Sequence, residues 1–486
     1  MPPSLRPRTH EIVSCVQFGL GSMLMFAGYL CTSFISESIL NSIYQDNPDS
    51  ISQFAGYYGG AIQFGALAVS SIVTPSVVHF LTSKWSLVLS SFLFALYYVG
   101  FAKVTWWYFY LSQTFVGFGY ALYNNCEGAY LSEHSTWATI EPNTAIEIAI
   151  GHQCMLVGGL VLLVVFLIAG GGIPQSFGDI SYLHFSGLVL LVVFLIAGGG
   201  IPQSFGDISY LHFSENKIRL LYGSYLGVSL LSILIFTFLP TKQYNSIAST
   251  TQRKSWSFVG QLKSLGETLL RKNMIILSLA FLYQGIFTSF YLAVFPTTFS
   301  FAHSLNTHTH LVAYYGICLG IGEFIGGLFV SFLSRRIRNF SLTPTMLCHA
   351  VFSICFTTLF FLAFPTWSTA RPSPGEGIVL SPTVPICIVC GLLVGLADST
   401  ITTARTVVCQ IAVPHRRPQA FSLSRLIQSV SSSVVLFLSP EMSVTIWTVT
   451  LLTSLAFGTA SFGYVAMQAT KVSPDEQNHD TVQVKN

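Results

Sequence analysis

Residues 308–334 read HTHLVAYYGICLGIGEFIGGLFVSFLS, and besides two histidines Glu323 is the only acidic or basic residue in this stretch. About 20 mostly apolar residues suffice to cross the ~30 Å hydrocarbon core of a bilayer as a helix. The stretch is therefore long and apolar enough to span a membrane. Its glycines at 316, 320, 322 and 326 give two GxxxG spacings, which are typical of helices that pack closely in a bilayer.

The composition of the whole chain agrees with this segment. Only 8% of its 486 residues are charged, against about 25% in a typical soluble domain, whereas 52% are hydrophobic. A water-soluble surface cannot be built from so few charges, so the sequence predicts an integral membrane protein in a lipid bilayer. The net charge of +3, without a run of basic residues, excludes nucleic acid as a partner.

The same length criterion predicts twelve spans along the chain. We expect them at residues 11–35, 54–80, 85–103, 106–131, 144–170, 217–239, 273–297, 308–334, 342–365, 384–410, 420–440 and 444–468. Residues 240–272 and 469–486 are polar, and we predict a central loop and a tail there. The predicted organisation is a six-helix half at 1–239, the loop at 240–272, a second half at 273–468 and the tail at 469–486.

One segment complicates the count of spans. Residues Gly159–Ser186 are repeated without a single change as Gly187–Ser214. Solenoid repeats diverge and need at least three copies, so an exact pair indicates a recent exon duplication or a gene-model error. The apolar run of the second copy, 188–201, is about 14 residues long and short for a span.

The distribution of basic residues decides whether the second copy crosses the membrane. With twelve spans and a cytosolic N-terminus, sixteen Lys and Arg lie on the inner side and four on the outer side, namely Lys103, Lys217, Arg219 and Arg371. A thirteenth span would reverse this positive-inside bias. We therefore predict that both termini are cytosolic and that the second copy forms an extended outer loop or a re-entrant hairpin.

A weaker internal repeat relates the two halves. The sequence 56–59, GYYG, in the second span matches AYYG at 313–316 in the eighth, and VGFG at 116–119 matches VGLA at 394–397, again six spans apart. Parallel repeats of this kind build major facilitator transporters, which bind substrate at the midplane between the halves. The predicted fold class is an all-α polytopic membrane protein with the twelve-helix major facilitator fold, in two pseudo-symmetric six-helix halves.

Five segments together resemble the Unc-93-like family of the major facilitator superfamily. They are TPSVV at 74–78, NNCEGAYLSEHS at 124–135, GIGEFIGG at 320–327, GLADS at 395–399 and RLIQS at 425–429. The resemblance implies a twelve-helix facilitator fold, with relatives that act as a potassium-channel regulatory subunit or as a trafficking escort for Toll-like receptors. The loop HFLTSKWS at 79–86 lacks the Gly-x-x-x-Asp-Arg-x-Gly-Arg motif usual in active facilitators.

Ionisable residues within spans are costly and are candidates for function. Asp398 and Glu323 lie near the middle of the tenth and eighth spans, and we predict a substrate or proton site there. His152, Gln63 and Tyr120 are further candidates for the same site. The structural alternative is that Glu323 hydrogen-bonds a helix-breaking backbone group and that Asp398 caps a local kink.

Four charged residues are predicted near the inner face. Glu127 and Glu147 belong to the N-terminal half, whereas Arg405 and Arg425 belong to the C-terminal half. Opposite charges on the two halves would attract when the inner side closes, so we predict a cytosolic gate. The alternative is that each side chain extends separately to the membrane interface.

No motif in the sequence indicates catalysis, a cofactor or a metal. Cys387 and Cys390 form a CxxC within an apolar helix without a second pair, and His303, His308 and His310 lack a nearby carboxylate or cysteine. Two hypotheses therefore remain. The first is a secondary transporter of an unknown small solute, and the second is a non-transporting regulatory or trafficking subunit of another membrane protein. The sequence favours neither the plasma membrane nor an endosomal membrane.

Overall fold

A computed structural model gives the architecture of the chain. It describes residues 6–136, 139–170, 201–205, 208–213, 215–241, 246–247, 258–305, 308, 310–336, 342–413 and 416–471. Most of the central loop, most of the tail and residues 171–200 of the duplicated block lie outside the described residues. The boundaries that the sequence assigns to the loop and the tail therefore stay predictions.

Within the described residues, twelve helical spans form one bundle, numbered first to twelfth in chain order. They are Pro7–Asp46, Ala55–Val78, Phe80–Ala102, Trp106–Glu133, Ile140–Gly151 continued by Cys154–Gly170, Glu215–Thr237, Lys272–Phe301, Leu311–Arg336, Leu342–Ala363, Val384–Ile411, Arg417–Leu438 and Val444–Lys471. We call the side that carries both ends of this bundle the inner side and the opposite one the outer side.

Eleven of these helices, in the described part of the chain, are long and apolar enough to cross a membrane. The fourth span is the exception, because Gln113, Asn124, Asn125 and Glu127 lower its hydropathy. Its 28 residues nevertheless extend about 42 Å at 1.5 Å per residue, which is more than the ~30 Å that a bilayer requires. Asn125 has a partner in a neighbouring span, since its Nδ2 donates to Thr74 Oγ1 of the second span at 2.8 Å.

The two halves meet along symmetric seams. The second span packs against the eleventh, and the fifth packs against the eighth, which are equivalent pairs when the halves are superposed in chain order. In the second of these seams a Cβ on Gly159 would lie 2.7 Å from the Ile317 nitrogen, and one on Gly320 would lie 2.6 Å from the Leu156 nitrogen. These glycines are therefore required for the close approach of the halves.

The first span is longer than the sequence predicts. It continues to Asp46 instead of ending at residue 35, because the polar side chains that follow, Ser36, Glu37, Ser38 and Asn41, are buried against neighbouring helices. Hydropathy alone penalises such residues. Tertiary contacts offset part of this cost, since the Tyr57 N–H of the second span donates to Glu37 at 3.1 Å, whereas Ser38 Oγ has no hydrogen-bond partner.

The central loop also contains a helix, Phe258–Leu269, where the sequence predicts only a polar loop. Arg416 of the tenth-to-eleventh connection donates to Glu267 at 2.8 Å and ties this helix to the inner side of the C-terminal half. The hydrogen bond from Arg416 lowers the pKa of the exposed Glu267 carboxyl. The contact therefore stabilises the folded state above the ordinary glutamate pKa and is lost as the pH falls through the lowered value.

The second copy of the duplicated block ends in a β-hairpin. Strand β1, Ile201–Phe205, pairs antiparallel with β2, Ile208–His212, in the register Ile201 to His212. The next residue, Phe213, is buried, and its N–H donates to Ser42 Oγ near the outer end of the first span at 3.2 Å. The described part of the first copy, residues 159–170, forms the apolar end of the fifth span, and its counterpart in the second copy, residues 187–198, lies outside the described residues.

Deletion of Gly187–Ser214 is expected to leave the fold and the topology intact. The copies are identical, so in the shortened chain residues 173–185 of the first copy can form the hairpin and place Phe185 where Phe213 now lies. We expect an unchanged melting temperature and a C-terminal tag on the cytosolic side in both proteins. A tag that is outside in the full chain and inside in the shortened chain would show that the second copy spans the membrane.

Thr82 offers a second test of the fold. Among the described residues it is the only non-glycine residue with a positive φ, 70°, and it lies at the break between the second and third spans. Such a conformation costs a β-branched residue about 1–3 kcal/mol, and glycine relieves it. Thr82→Gly should therefore raise the melting temperature by a few degrees, whereas the matched variant Lys84→Gly should not. A lower melting temperature for Thr82→Gly would contradict this backbone conformation.

Candidate functional site

A cavity of about 170 Å³ lies between the two halves, from mid-depth toward the inner side. The first, fourth and fifth spans line it from one half, and the seventh, eighth, tenth and eleventh line it from the other. Phe26, Tyr120 and Tyr123 give the N-terminal wall an aromatic surface. Four carboxylic acids and two arginines line the same space: Glu127, Glu147, Glu323, Asp398, Arg405 and Arg425.

A pair of carboxyl groups lies at mid-depth in this cavity. Asp398 Oδ1 accepts a hydrogen bond from the Tyr291 hydroxyl at 2.9 Å, and Glu323 lines the same cavity from the eighth span. Two carboxylates in one low-dielectric cavity repel each other when both are ionised, so a single proton on the pair relieves the repulsion. The pair is thus arranged to hold and release a proton.

Tyr291 owes its position to an irregular turn in the seventh span. Residues Phe290–Val294 form one π-helical turn, in which the Phe295 N–H donates to the carbonyl of Phe290. The next residue is Pro296, which has no N–H, so the carbonyl of Tyr291 accepts from the Tyr315 hydroxyl instead, at 2.9 Å. Such π turns occur frequently at functional sites.

Arg405 lines the cavity, and one of its guanidinium N–H donors has no hydrogen-bond partner. Its side chain is 5% exposed, and its Nη1 donates to Gln428 Oε1 at 2.8 Å. Its Nε is buried and has no partner. A buried guanidinium with a free donor is costly unless a ligand or water satisfies it, so the cavity can receive an anionic or strongly accepting group here.

The acids of the inner part are also incompletely satisfied. Glu147 is 2% exposed, and its Oε1 accepts from the Tyr123 hydroxyl at 3.3 Å, whereas its Oε2 is buried without a partner. Glu127 and Arg425 line the same cavity from opposite halves. Within the described residues, however, no ion pair closer than 4.0 Å joins these acids to Arg405 or Arg425, so the predicted gate contacts are not formed in this conformation.

The outer side, in contrast, is closed by contacts between the halves. The Tyr57 hydroxyl of the second span donates to the carbonyl of Thr369 in the loop before the tenth span. The rings of Phe34 and Tyr315 meet edge to face across the first and eighth spans, with centroids 5.4 Å apart. The conformation is therefore closed outside, with the charged groups of the inner side apart.

The remaining candidates from the sequence occupy different places. Tyr120 lines the cavity and packs edge to face on Phe26, with centroids 5.1 Å apart. His152 lines it at the break in the fifth span, and its Nδ1 contacts the Ile148 carbonyl at 3.1 Å. Gln63 is outside this cavity, because it hydrogen-bonds the Tyr29 hydroxyl in a smaller pocket nearer the outer side.

Sequence reasoning missed three polar residues near these sites. His349 of the ninth span is fully buried between the Tyr283 hydroxyl, 2.7 Å from Nε2, and the Ala397 carbonyl, 2.8 Å from Nδ1, next to Asp398. Its signal is an ionisable residue in an otherwise apolar span. Glu37 was missed because the predicted first span ended before it. Nothing in the sequence identifies Tyr291 as the partner of Asp398.

The charges of the inner part yield a testable prediction. Arg425→Glu should place a like charge near Glu127, and the repulsion should disfavour closure of the inner side. A cysteine introduced into the cavity as Thr402→Cys serves as the reporter. A thiol reagent added from the cytosolic side should label this cysteine severalfold faster in Arg425→Glu than in the parent. Exchanging the charges, as Glu127→Arg with Arg425→Glu, should restore the parental rate because attraction returns. Labelling of the parent chain is subtracted as the control, since it has ten cysteines. Equal labelling rates in the parent, the single variant and the charge-exchanged variant would contradict the predicted cytosolic gate.

Comparison with known sequences identifies relatives over nearly the full length. A family model described as "Ion channel regulatory protein UNC-93" matches residues 47–463. The UNC93-like protein MFSD11 of Xenopus laevis is 24% identical over 96% of this chain and 99% of its own length. The protein of the same name from Xenopus tropicalis is 23% identical over the same shares.

Solved structures of major facilitator transporters share the fold. The nucleoside transporter NupG superposes with a TM-score of 0.56 at 15% identity, covering 95% of this chain and all of that one. A D-xylose-proton symporter gives 0.58 at 14% identity, covering 95% of this chain and 97% of that one. The predicted twelve-helix major facilitator fold and the predicted family are confirmed. At these identities the structures inform on the fold alone.

Proposed function

The chain belongs to the UNC-93 family, and from that premise we propose that this multi-pass membrane protein is a secondary transporter of a small polar solute. The observation that carries the proposal is the cavity between the halves with the Asp398–Glu323 pair at its deepest part. Charged side chains at this depth are expensive and are retained where they face a cavity. The pair supplies the proton site.

The opposite wall of charges indicates the class of solute. The buried Nε of Arg405 lacks a partner, and Arg425 lines the same cavity. A carboxylate or another anionic group on the solute would satisfy these donors, with aromatic contacts from Phe26 and Tyr120. A volume of about 170 Å³ holds only a small molecule, since each water occupies about 30 Å³ in the liquid.

The proposed cycle follows from the same contacts. Solute bound to Arg405 and Arg425 screens their charge, while the carboxyl pair carries the proton at mid-depth. Release of the solute to the inner side frees the arginines to pair with Glu127 and Glu147, which closes that side. The contacts of Tyr57 and Phe34 must then break for the outer side to open. The twelve-span topology with both termini in the cytosol, as the distribution of basic residues predicts, belongs to this proposal.

A second candidate is a regulatory or trafficking subunit of another membrane protein, such as an ion channel or receptor. The description of the matching family as ion channel regulatory proteins favours it, as does the missing loop motif at 79–86. A lipid-facing groove at the seam of the second and eleventh spans, lined by Tyr58, Gly65 and Phe437 among others, offers contact surface. Such a role needs the fold but not the proton site.

Asp398→Asn separates the two functions, because it keeps the shape and removes the titrating group. In proteoliposomes that contain a pH indicator, a panel of small carboxylates and zwitterions should drive proton movement through the parent protein. Neutral sugars and nucleosides serve as comparison solutes. Asp398→Asn should abolish this proton movement while its melting temperature stays close to that of the parent.

Glu376→Gln is the matched control, since it neutralises an exposed outer-loop carboxylate away from the cavity and should transport normally. If the parent protein moves no proton with any solute and co-purifies from native membrane with a stoichiometric partner, the regulatory-subunit hypothesis replaces the transporter hypothesis. Transport that is equally proton-coupled in Asp398→Asn would overturn the assignment of the pair.

A further inference from the structure

A second, smaller pocket lies nearer the outer side and is separate from the charged cavity. Its volume is about 40 Å³, close to the ~30 Å³ that one water molecule occupies in the liquid. The first, second, third and fourth spans line it together with the seventh and eleventh, so it also lies between the halves. Oxygen-bearing side chains dominate part of its wall: Thr32, Ser33, Ser36, Glu37, Gln63, Gln113 and Ser289.

Glu37 is the only carboxylate of this pocket, and half of it is unsatisfied. The side chain is 3% exposed, and Oε2 accepts from the Tyr57 N–H at 3.1 Å, at the first turn of the second span where Gly56 also lies. Oε1 is buried and has no hydrogen-bond partner. Gly56 is needed for this approach, because a Cβ there would lie 2.6 Å from the Glu37 Cα.

A second unsatisfied oxygen lines the same pocket from the other half. Ser289 of the seventh span is 1% exposed, and its Oγ has no partner. Burying a polar atom without a hydrogen bond costs about 1–3 kcal/mol, so two such atoms on one cavity indicate an occupant that binds both. The occupant must suit acceptors, since a carboxylate oxygen offers no proton.

Among the described residues, no basic side chain lines this pocket beside Glu37. Tyr29, Tyr57 and Tyr97 are the other titratable residues of the pocket wall, and they are neutral in their ordinary state. The Tyr57 N–H of the second span supplies only the partial positive charge of a helix end. A buried carboxylate without a counter-ion is strongly unfavourable, and a single positive charge in the pocket would balance it.

We propose that this pocket binds one monovalent cation the size of sodium, held by Glu37 Oε1, Ser289 Oγ and neighbouring oxygens. Hard cations prefer oxygen ligands, and a single carboxylate matches a single charge. The small volume favours a cation that has lost its hydration shell over a hydrated or organic one. Because Glu37 and Ser289 belong to opposite halves, the bound cation stabilises the conformation that is closed at the outer side.

The test compares the melting temperature of the full-length protein in NaCl, KCl and choline chloride at equal ionic strength. Sodium should raise the melting temperature above the values in potassium and choline. Glu37→Gln should lose this sodium-dependent shift and also lose binding of ²²Na⁺ in a direct assay. The glutamine still offers an oxygen to the Tyr57 N–H of the second span, so the variant is expected to fold. Ser289→Ala should shift sodium binding to higher concentration, and it serves as the second variant if Glu37→Gln does not fold.

Asp398→Asn is the matched control, since it neutralises the carboxylate of the other cavity and should keep the sodium shift. This separates the inference from the proposed transport function, because either site can fail alone. Equal melting temperatures of the parent in all three salts would overturn the proposal. So would a sodium shift that survives in Glu37→Gln and disappears in Asp398→Asn, which would place the cation in the charged cavity. A response to pH without one to sodium would assign the pocket to a proton instead of a cation.

Discussion

The energetic cost of ionisable groups in a low-dielectric bundle is the constraint on which the rest of this structure depends. Three of the carboxylates described above have one oxygen held by a hydroxyl or by a backbone N–H group: Asp398 by Tyr291, Glu147 by Tyr123 and Glu37 by Tyr57. Such contacts fix the orientation of the group without neutralising its charge. The remaining charge must be met by a proton, a cation or an arginine of the other half, and these are the species whose exchange can move the halves.

Because the two halves are closely packed, the gain or loss of a proton, a cation or an arginine contact can affect how they sit against each other. The seam between the fifth and eighth spans depends on glycines whose replacement would bring atoms to 2.6–2.7 Å, so the helices there have little freedom to separate independently. The outer contacts at Tyr57 and Phe34 lie on the same interface. Opening one side therefore has to proceed as a rotation of one half against the other, as parallel repeats permit.

Much of the fold could be predicted from the sequence, because lipid leaves a clear signal in runs of about 20 apolar residues. The same reasoning placed Asp398, Glu323, His152 and Tyr120 at a mid-depth site and the four gate residues near the inner face, and all eight line one cavity in the structure. It misplaced Gln63 and missed Glu37 and His349. Their partners, Tyr29, Tyr57 and Tyr283, lie on other helices. Which residues meet depends on how each helix is rotated about its axis, and this rotation is set by packing between helices that cannot be read from the local sequence.

The π turn of the seventh span connects the two pockets physically. Ser289, just before the turn, lines the outer pocket, and Tyr291, within it, binds Asp398 in the charged cavity, while Leu292 lines both. Because Ser289 and Tyr291 lie at the same irregular turn, an occupant that draws Ser289 toward Glu37 would also displace Tyr291. Pro296 has no N–H to donate to the carbonyl of Tyr291, which accepts from the Tyr315 hydroxyl instead. The seventh span is therefore irregular at the turn that lies between the two pockets. Through this turn, occupancy of the outer pocket can alter the hydrogen bond between Tyr291 and Asp398 in the charged cavity.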